Sequence, residues 1–445
     1  MRNNQWILVV TLLLLGLCQP VAAAINIQHW TTDNGARVYF VAAPELPMVD
    51  LQVTFNAGAA RDTDGKAGAA LLTNAMLPEG AGKLSAEQIS ERFDELGARF
   101  GSDSERDMST YTLRSLSEED VLTPALETLA TVLGEPTFPR DAFERERKRL
   151  LIGIEQRKQS PGALADEAFY EAVFQDHPYG TMPSGYEETV KSLTVADLKA
   201  FYDRYFVASN ATIAIVGNLD RAKAEQVANR AVAKLKKGEP APALPKVDAL
   251  EKAAEVKVAH PSSQTHILLG QPGMHRGDPD YYALYVGNHI LGGSGLVARL
   301  SNEIREKRGL AYSTYSYFLP MRKDGPFEIG LQTRNDQAEE ALKVVRETVK
   351  DFITNGPTEE ELTASKKNIT GGFPLRISSN KKILGYIGMI GFYQLPLDYL
   401  DTFNDKVQAL TVADIQDAFK RRVHPDKMVT IMVGPAPDKV ASKNP

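Results

Sequence analysis

"LTVAD" at Leu193–Asp197 returns unchanged at Leu410–Asp414, 217 residues later (410 − 193). Downstream of each copy an apolar run ends in glycine: "TIAIVG" closes at Gly217 and "VTIMVG" at Gly434, again 217 apart (434 − 217). In both copies a threonine stands three positions before an aspartate, Thr194 with Asp197 and Thr411 with Asp414. That is the spacing at which a side-chain oxygen caps the first turn of a helix. Each copy therefore reads as a capped helix followed by an apolar strand. Two features sharing one offset indicate a duplicated domain.

Between the copies lies "KKGEPAPALPK" (Lys236–Lys246), whose closely spaced prolines make a stiff, extended connector. The halves fall at 25–235 and 250–445, joined by a Pro-rich linker at 236–249. In the first half "ARVYFVA" and "MVDLQVTFNAG" read as strands and about 65–77 as a helix. Ser85 and Gln88 form a capping box ahead of Ile89, Phe93 and Leu96, and Gly97 closes that helix. "MSTYTLRSL" alternates as a strand, and about 140–158 reads as a long helix with interleaved charge. The second half repeats the order: strands at about 255–271, a helix opened by Asp278-Pro279, a second helix running to Arg308 and stopping at Gly309, strands, then a helix opened by Thr358 with Glu361. Strands and helices mix without regular βαβ alternation. The expected class is α+β: two homologous domains, each a mainly antiparallel sheet covered by helices on one face, forming a clamshell with an internal groove.

The 445 residues carry a net charge of −6, which argues against nucleic acid as the main partner. Residues 1–24 read as a signal peptide. Arg2 supplies the positive start, "WILVVTLLLLGL" (Trp6–Leu17) the apolar run, and "VAAA" (Val21–Ala24) a small-residue cleavage site before Ala24 or Ile25. The run is too short for a membrane span, which needs ~20 residues. The expected location is the periplasm or another exported compartment. Cys18 is the only cysteine and lies inside this segment, so the mature chain has no thiol for disulfides, nucleophilic catalysis or cysteine zinc sites.

Three segments carry a family resemblance: "HPYGTMPSGYEETVKSLTVADLKAFYDRYFVASNATIAIVGNLD" (His177–Asp220), "LGGSGLVARLSNEIREKRGLAYSTYSYF" (Leu291–Phe318) and "FDELGARFGSDSERDMSTYTL" (Phe93–Leu113). Together they resemble the insulinase/pitrilysin-like zinc peptidases, the inverzincins. In size and layout the chain is most similar to their two-subunit members, such as mitochondrial processing peptidase and bacterial relatives. Active members carry H-x-x-E-H on the first helix, with a distant Glu as third protein ligand. Aligned on that pattern, Gly68 stands at the first His, Leu71 at the base, Leu72 at the second His and Gly153 at the distant Glu. No histidine occurs between His29 and His177, and Glu79 is the only nearby acid. A zinc site of the family's type cannot form from these residues. Ala69, Ala70, Leu72 and Ala75 read instead as the packing face of a helix.

The resemblance gives "REKRGLAY" (Arg305–Tyr312) its interest. In the family an Arg and a Tyr seven positions apart reach from the second half toward the zinc site, where they bind substrate backbone and the developing oxyanion; Arg305 and Tyr312 have that spacing. Arg supplies a forked, permanently charged donor and Tyr a neutral hydroxyl. The competing reading is a cationic helix end complementing its macrodipole, with Tyr312 as ordinary strand packing. Glu306, Lys307 and Arg308 are assigned to the helix surface. Gly292, Gly293 and Gly295 of "GGSG" lack the Lys-Ser/Thr of a phosphate loop and read as a turn that admits a peptide backbone. Glycines at every third position of "GYIGMIGF" (Gly385–Phe392) read as close helix packing. His260, His266 and His289 are dispersed, without the spacing of helical metal ligands, so no metal is expected on this chain.

The resemblance thus implies a non-zinc subunit that pairs with a homologous chain bearing H-x-x-E-H. The partner would hold the zinc, Arg305 and Tyr312 would serve its site in trans, and peptides or unfolded protein would be the substrate. This chain would be inactive alone. The alternatives are a non-catalytic peptide-binding or scaffolding protein of the cell envelope, and a homodimeric enzyme with a metal site of another kind.

Overall fold

The structure, a computed structural model, describes residues 25–436. The signal segment lies outside the described residues. Eleven strands form the two main sheets: β1 (Gln28–Thr31), β2 (Arg37–Ala42), β3 (Met48–Phe55), β4 (Arg99–Ser104), β5 (Ser109–Leu116) and β6 (Ala211–Gly217) in the first half, then β7 (Ala254–Ala259), β8 (Gln264–Pro272), β9 (Ala311–Phe318), β10 (Pro326–Arg334) and β11 (Val429–Gly434) in the second. The first sheet is ordered β1-β2-β6-β3-β5-β4 and the second β7-β11-β8-β10-β9. Apart from the extra β1 these are the same sheet. Each has one parallel pair, β2 with β6 and β7 with β11, and antiparallel pairs elsewhere. β2 and β7 start 217 residues apart (254 − 37), the offset of the sequence repeat.

The local signals place most helices. Ser85–Gln88, Thr194–Asp197, Thr358–Glu361 and Thr411–Asp414 all form the reciprocal capping box. The helix expected over about 65–77 begins only at Ala69. Gly65 and Gly68 adopt φ of 73° and 97°, left-handed values that a right-handed helix does not contain. The helix expected to run to Arg308 is broken into short pieces, His289–Gly293, Gly295–Val297, Arg299–Ser301 and Asn302–Glu306, the first and last wound as π turns.

The sheets are not covered on one face only. β6 and β11 are buried along their whole length. One face of the first sheet packs on helices of its own half, around Phe40, Leu51, Leu72, Leu126 and Phe206. Its opposite face receives the helix Asn380–Tyr393 from the second half, so that Tyr39, Val41, Ala214 and Val216 join a core with Leu384, Ile387 and Ile390. Reciprocally, the helix Pro161–Phe174 of the first half lies on β8 and β11, putting Phe169, Tyr170, Val173 and Phe174 against Leu268, Ile431 and Val433. The lobes face one another as the halves of a clamshell, each lending a helix to the other. The connector has no regular secondary structure, and Leu244, Val247 and Leu250 seat it in the core beneath Phe174.

Between the lobes Asp107, 3% exposed, accepts hydrogen bonds from Tyr179 Oη (2.6 Å) and, across the interface, from Tyr393 Oη (3.1 Å) and the Arg322 backbone N–H (2.7 Å). The Lys323 backbone N–H donates to Tyr179 Oη at 3.1 Å. The tyrosine of the "HPYG" stretch is therefore part of an interlobe latch.

Candidate functional site

The segment that carries Arg305 is held at both ends. Ahead of it, Arg299 donates twice to Glu361 (2.6 Å each) and once to the Gly356 carbonyl (2.9 Å). Behind it, Gly309 adopts φ of 62° and its N–H returns to the Arg305 carbonyl (3.0 Å), while the Leu310 N–H returns to Ile304 (2.9 Å). Of the three cations, Lys307 and Arg308 both donate to Glu303, at 2.6 Å each. The Lys307 bond foremost holds the Glu303 carboxyl below its ordinary range. Both cations serve the surface, as expected. Arg305 is left with a 3.5 Å approach to Glu306, and its guanidinium lies 4.7 Å from the centre of the Tyr312 ring. The sequence-predicted pair is thus brought together.

Tyr312 sits where the β9–β10 register slips: Ala311 pairs with Thr333 but Thr314 with Leu331, so β9 carries one residue too many. Such a bulge re-aims a side chain, and Tyr312 is 82% exposed. It is not ordinary strand packing. The pair presents a fixed cation and a neutral hydroxyl side by side at the open edge of the second sheet, a donor set suited to a carbonyl oxygen or a carboxylate.

The three glycines differ. A Cβ on Gly292 would lie 2.3 Å from Ser316 Oγ, so this buried glycine lets the π turn lie directly on β9, whereas one on the exposed Gly293 would meet Asn288 Nδ2 of the preceding helix at 2.9 Å. Gly295, with φ of 66°, faces open space and is followed by the exposed Leu296 and Val297. Gly293 and Gly295 lie at the surface, and Gly295 has nothing packed against it.

The positions aligned with the zinc motif do not fit the metal. Gly68 precedes the helix Ala69–Met76 with its N–H donated to Asp62. Leu72 is buried and Leu71 half-buried on that helix, which packs on the helix Arg140–Lys158 that holds Gly153. Contrary to the expectation from sequence, Glu79 is not the only acid nearby: Asp62 spends one oxygen each on the N–H groups of Gly68 and Ala70 (2.8 Å), and Glu79 is paired with Arg145. Burial pushes the Asp62 carboxyl up to about 7. With no imidazole and no free carboxylate in place, these residues offer zinc nothing to bind.

Reasoning from sequence missed two groups, the Asp107 latch and a cluster of His275, Asp278 and Asp324. The latch draws on segments far apart in the chain, and in the cluster His275 and Asp278 stand three residues apart but are joined by Asp324 from a distant loop.

Residues 37–183 match the family described as Insulinase (Peptidase family M16), and residues 192–369 match the Peptidase M16 inactive domain. An uncharacterized zinc protease of Streptomyces coelicolor is 26% identical over 424 residues, 94% of this chain and 92% of that protein. The non-peptidase homolog YmxG of Helicobacter pylori is 26% identical over 413 residues, 92% of this chain and 94% of that protein. Among solved structures, the peptidase M16 inactive domain from Pseudomonas fluorescens superposes with a TM-score of 0.90 at 42% identity, over 93% of this chain and 98% of that one. A protease from Helicobacter pylori shares the fold, with a TM-score of 0.85 at 20% identity over 92% and 100%.

Proposed function

The chain belongs to the insulinase family, peptidase family M16, and we propose that it is inactive as a peptidase alone and works as the zinc-free subunit of a two-chain peptidase in the periplasm. The observation that carries this reading is the contrast between its lobes. At the positions aligned with the zinc motif the first lobe offers no ligand, whereas the second keeps Arg305 stacked on an exposed Tyr312 with no large demand on either from within the chain. A donor pair kept open on a bulge has no evident structural task here; it suits a reaction centre supplied by another polypeptide.

In this reading a homologous subunit bearing H-x-x-E-H holds the zinc. Arg305 and Tyr312 donate to the carbonyl oxygen of the peptide, stabilising the charge that grows there and fixing the register of the substrate. β9 is the edge strand of its sheet, so an extended peptide can pair with its free backbone groups, with affinity that depends little on side-chain identity. Among the described residues no helix is long and apolar enough to cross a membrane.

The test is to co-purify this chain with a homologue that carries H-x-x-E-H and to assay peptide cleavage. Arg305→Ala and Tyr312→Phe are each expected to lower kcat by roughly 10²–10³, as for loss of one oxyanion donor, with the complex still assembled. Full activity in both variants would sink the catalytic role and leave a scaffold. Cleavage by this chain alone would sink the partnership.

A further inference from the structure

We propose that His275, Asp278 and Asp324 form a binding site for a divalent transition-metal ion, Zn²⁺ being the best match, and that the ion braces the loop that latches the two lobes together. The site lies in the second lobe and shares no residue with the lost zinc motif or with the Arg305–Tyr312 pair.

Two loops build it. His275 follows β8, Asp278 precedes the helix Tyr281–Asn288, and Asp324 lies in the loop between β9 and β10. One donor atom from each residue lies within 4.8 Å of the others. His275 Nδ1 is 2.8 Å from Asp324 Oδ1 and 3.6 Å from Asp278 Oδ2. Tetrahedral bonds of about 2.0–2.2 Å place neighbouring donors roughly 3.3 Å apart. Those two separations straddle that figure, and an ion would take the place of the His275–Asp324 hydrogen bond and draw all three donors, now within 4.8 Å of one another, onto itself. One imidazole with two carboxylates is a set that suits zinc and its neighbours in the first transition row better than Ca²⁺ or Mg²⁺, which want oxygen ligands alone.

The surroundings support the ligands as an outer shell does in metal sites. Asp278 is 4% exposed and is oriented by Arg422, which donates to both of its oxygens (3.0 and 2.7 Å), and by the Asp280 backbone N–H (2.8 Å). Asp280 is in turn bound by Arg421 and Arg422. His275 and His424 both line a cavity of about 520 Å³, which leaves room for water or a fourth ligand.

The consequence lies in the loop of Asp324. The two residues before it, Arg322 and Lys323, donate their backbone N–H groups to Asp107 and Tyr179 of the other lobe. The backbone N–H of Arg276, next to His275, bonds the Met321 carbonyl at 2.8 Å. An ion bridging His275 and Asp324 would fix this loop to the second lobe and stiffen the latch. Its role would be structural.

The test uses the mature chain, freed of any affinity tag and stripped with EDTA, titrated calorimetrically with ZnCl₂ and followed by thermal unfolding. One ion per chain and a rise of several degrees in Tm are expected. His275→Ala and Asp324→Asn should each weaken Zn²⁺ binding at least ~10-fold and abolish the Tm rise on adding Zn²⁺, whatever small change in Tm the loss of their mutual hydrogen bond causes in EDTA. Asp324 is the informative partner because Asp278 also holds Arg422. No Zn²⁺ uptake by the wild type would overturn the proposal. So would binding undiminished in both variants, or a response to Ca²⁺ or Mg²⁺ equal to that for Zn²⁺.

Discussion

Glu328 sits mid-strand in β10 and is 1% exposed. Tyr315 Oη donates to its Oε1 at 3.3 Å, whereas Oε2 has no partner. Burial above all, aided by the carboxylate of Asp166 and opposed by the nearby hydroxyls of Tyr317 and Tyr315, pushes this carboxyl up to about 7. An acid whose folded value is raised binds its proton more tightly folded than unfolded. Its contribution is complete at pH below the ordinary glutamate value, near ~4.3, and is lost as pH rises through about 7. Glu328→Gln, which mimics the protonated form, should therefore gain on the wild type by roughly 2 kcal/mol between pH 5 and pH 8. Denaturant titrations at the two pH values check this, and parallel shifts for both proteins would refute it. Nothing in "PFEIGLQTR" betrays the burial, because an acid at an alternating strand position ordinarily faces water. The cover comes from the helix Pro161–Phe174, which brings Asp166 and Tyr170 from the other half.

The helices exchanged between lobes explain a pattern visible in the sequence but not its target. Glycines at 385, 388 and 391 signal close packing. In the structure a Cβ on Gly391 would meet the Tyr39 ring at 2.5 Å and Thr212 Cγ2 at 2.8 Å, both in the first lobe, while one on Gly385 would meet nothing within 4 Å. Gly391→Ala should accordingly cost about 1–3 kcal/mol through overpacking. Gly385→Ala should stabilise by about 0.5–1 kcal/mol, since alanine is the better helix former and has room. Chemical denaturation of the pair decides the matter; equal effects at the two sites would mean that Asn380–Tyr393 does not press on the first sheet. What was legible at this scale was local. Capping boxes depend on residues three apart, and all four stand where the sequence puts them. The delayed start at Ala69 and the broken segment before Arg305 were not legible. They follow from left-handed glycines and from the seating of Gly292 on Ser316, which is a tertiary contact.

The duplication foretold two like sheets, and the common strand order bears that out. It did not foretell the exchange. A helix with one apolar face satisfies the same sequence pattern whether it lies on its own sheet or on its twin's. The unbroken apolar runs of β6 and β11 did hint that both faces of each sheet are covered, since such runs suit strands buried on both sides. The exchange makes the lobes interdependent. Separated at the exposed Glu239–Pro240 junction, the first half would leave Phe169, Tyr170, Val173 and Phe174 without the sheet they cover, and its own sheet would lose Leu384, Ile387 and Ile390. The second half would suffer the mirror loss, and Asp107 would keep only Tyr179 of its three donors. We therefore expect the intact chain to unfold in a single transition, fragments 25–239 and 240–445 to be insoluble or non-cooperative when made separately, and the two made together to recover the fold. Two resolved calorimetric transitions in the intact chain, or a cooperative transition in either fragment alone, would show that the lobes are independent domains and that the crossed helices add little to their stability.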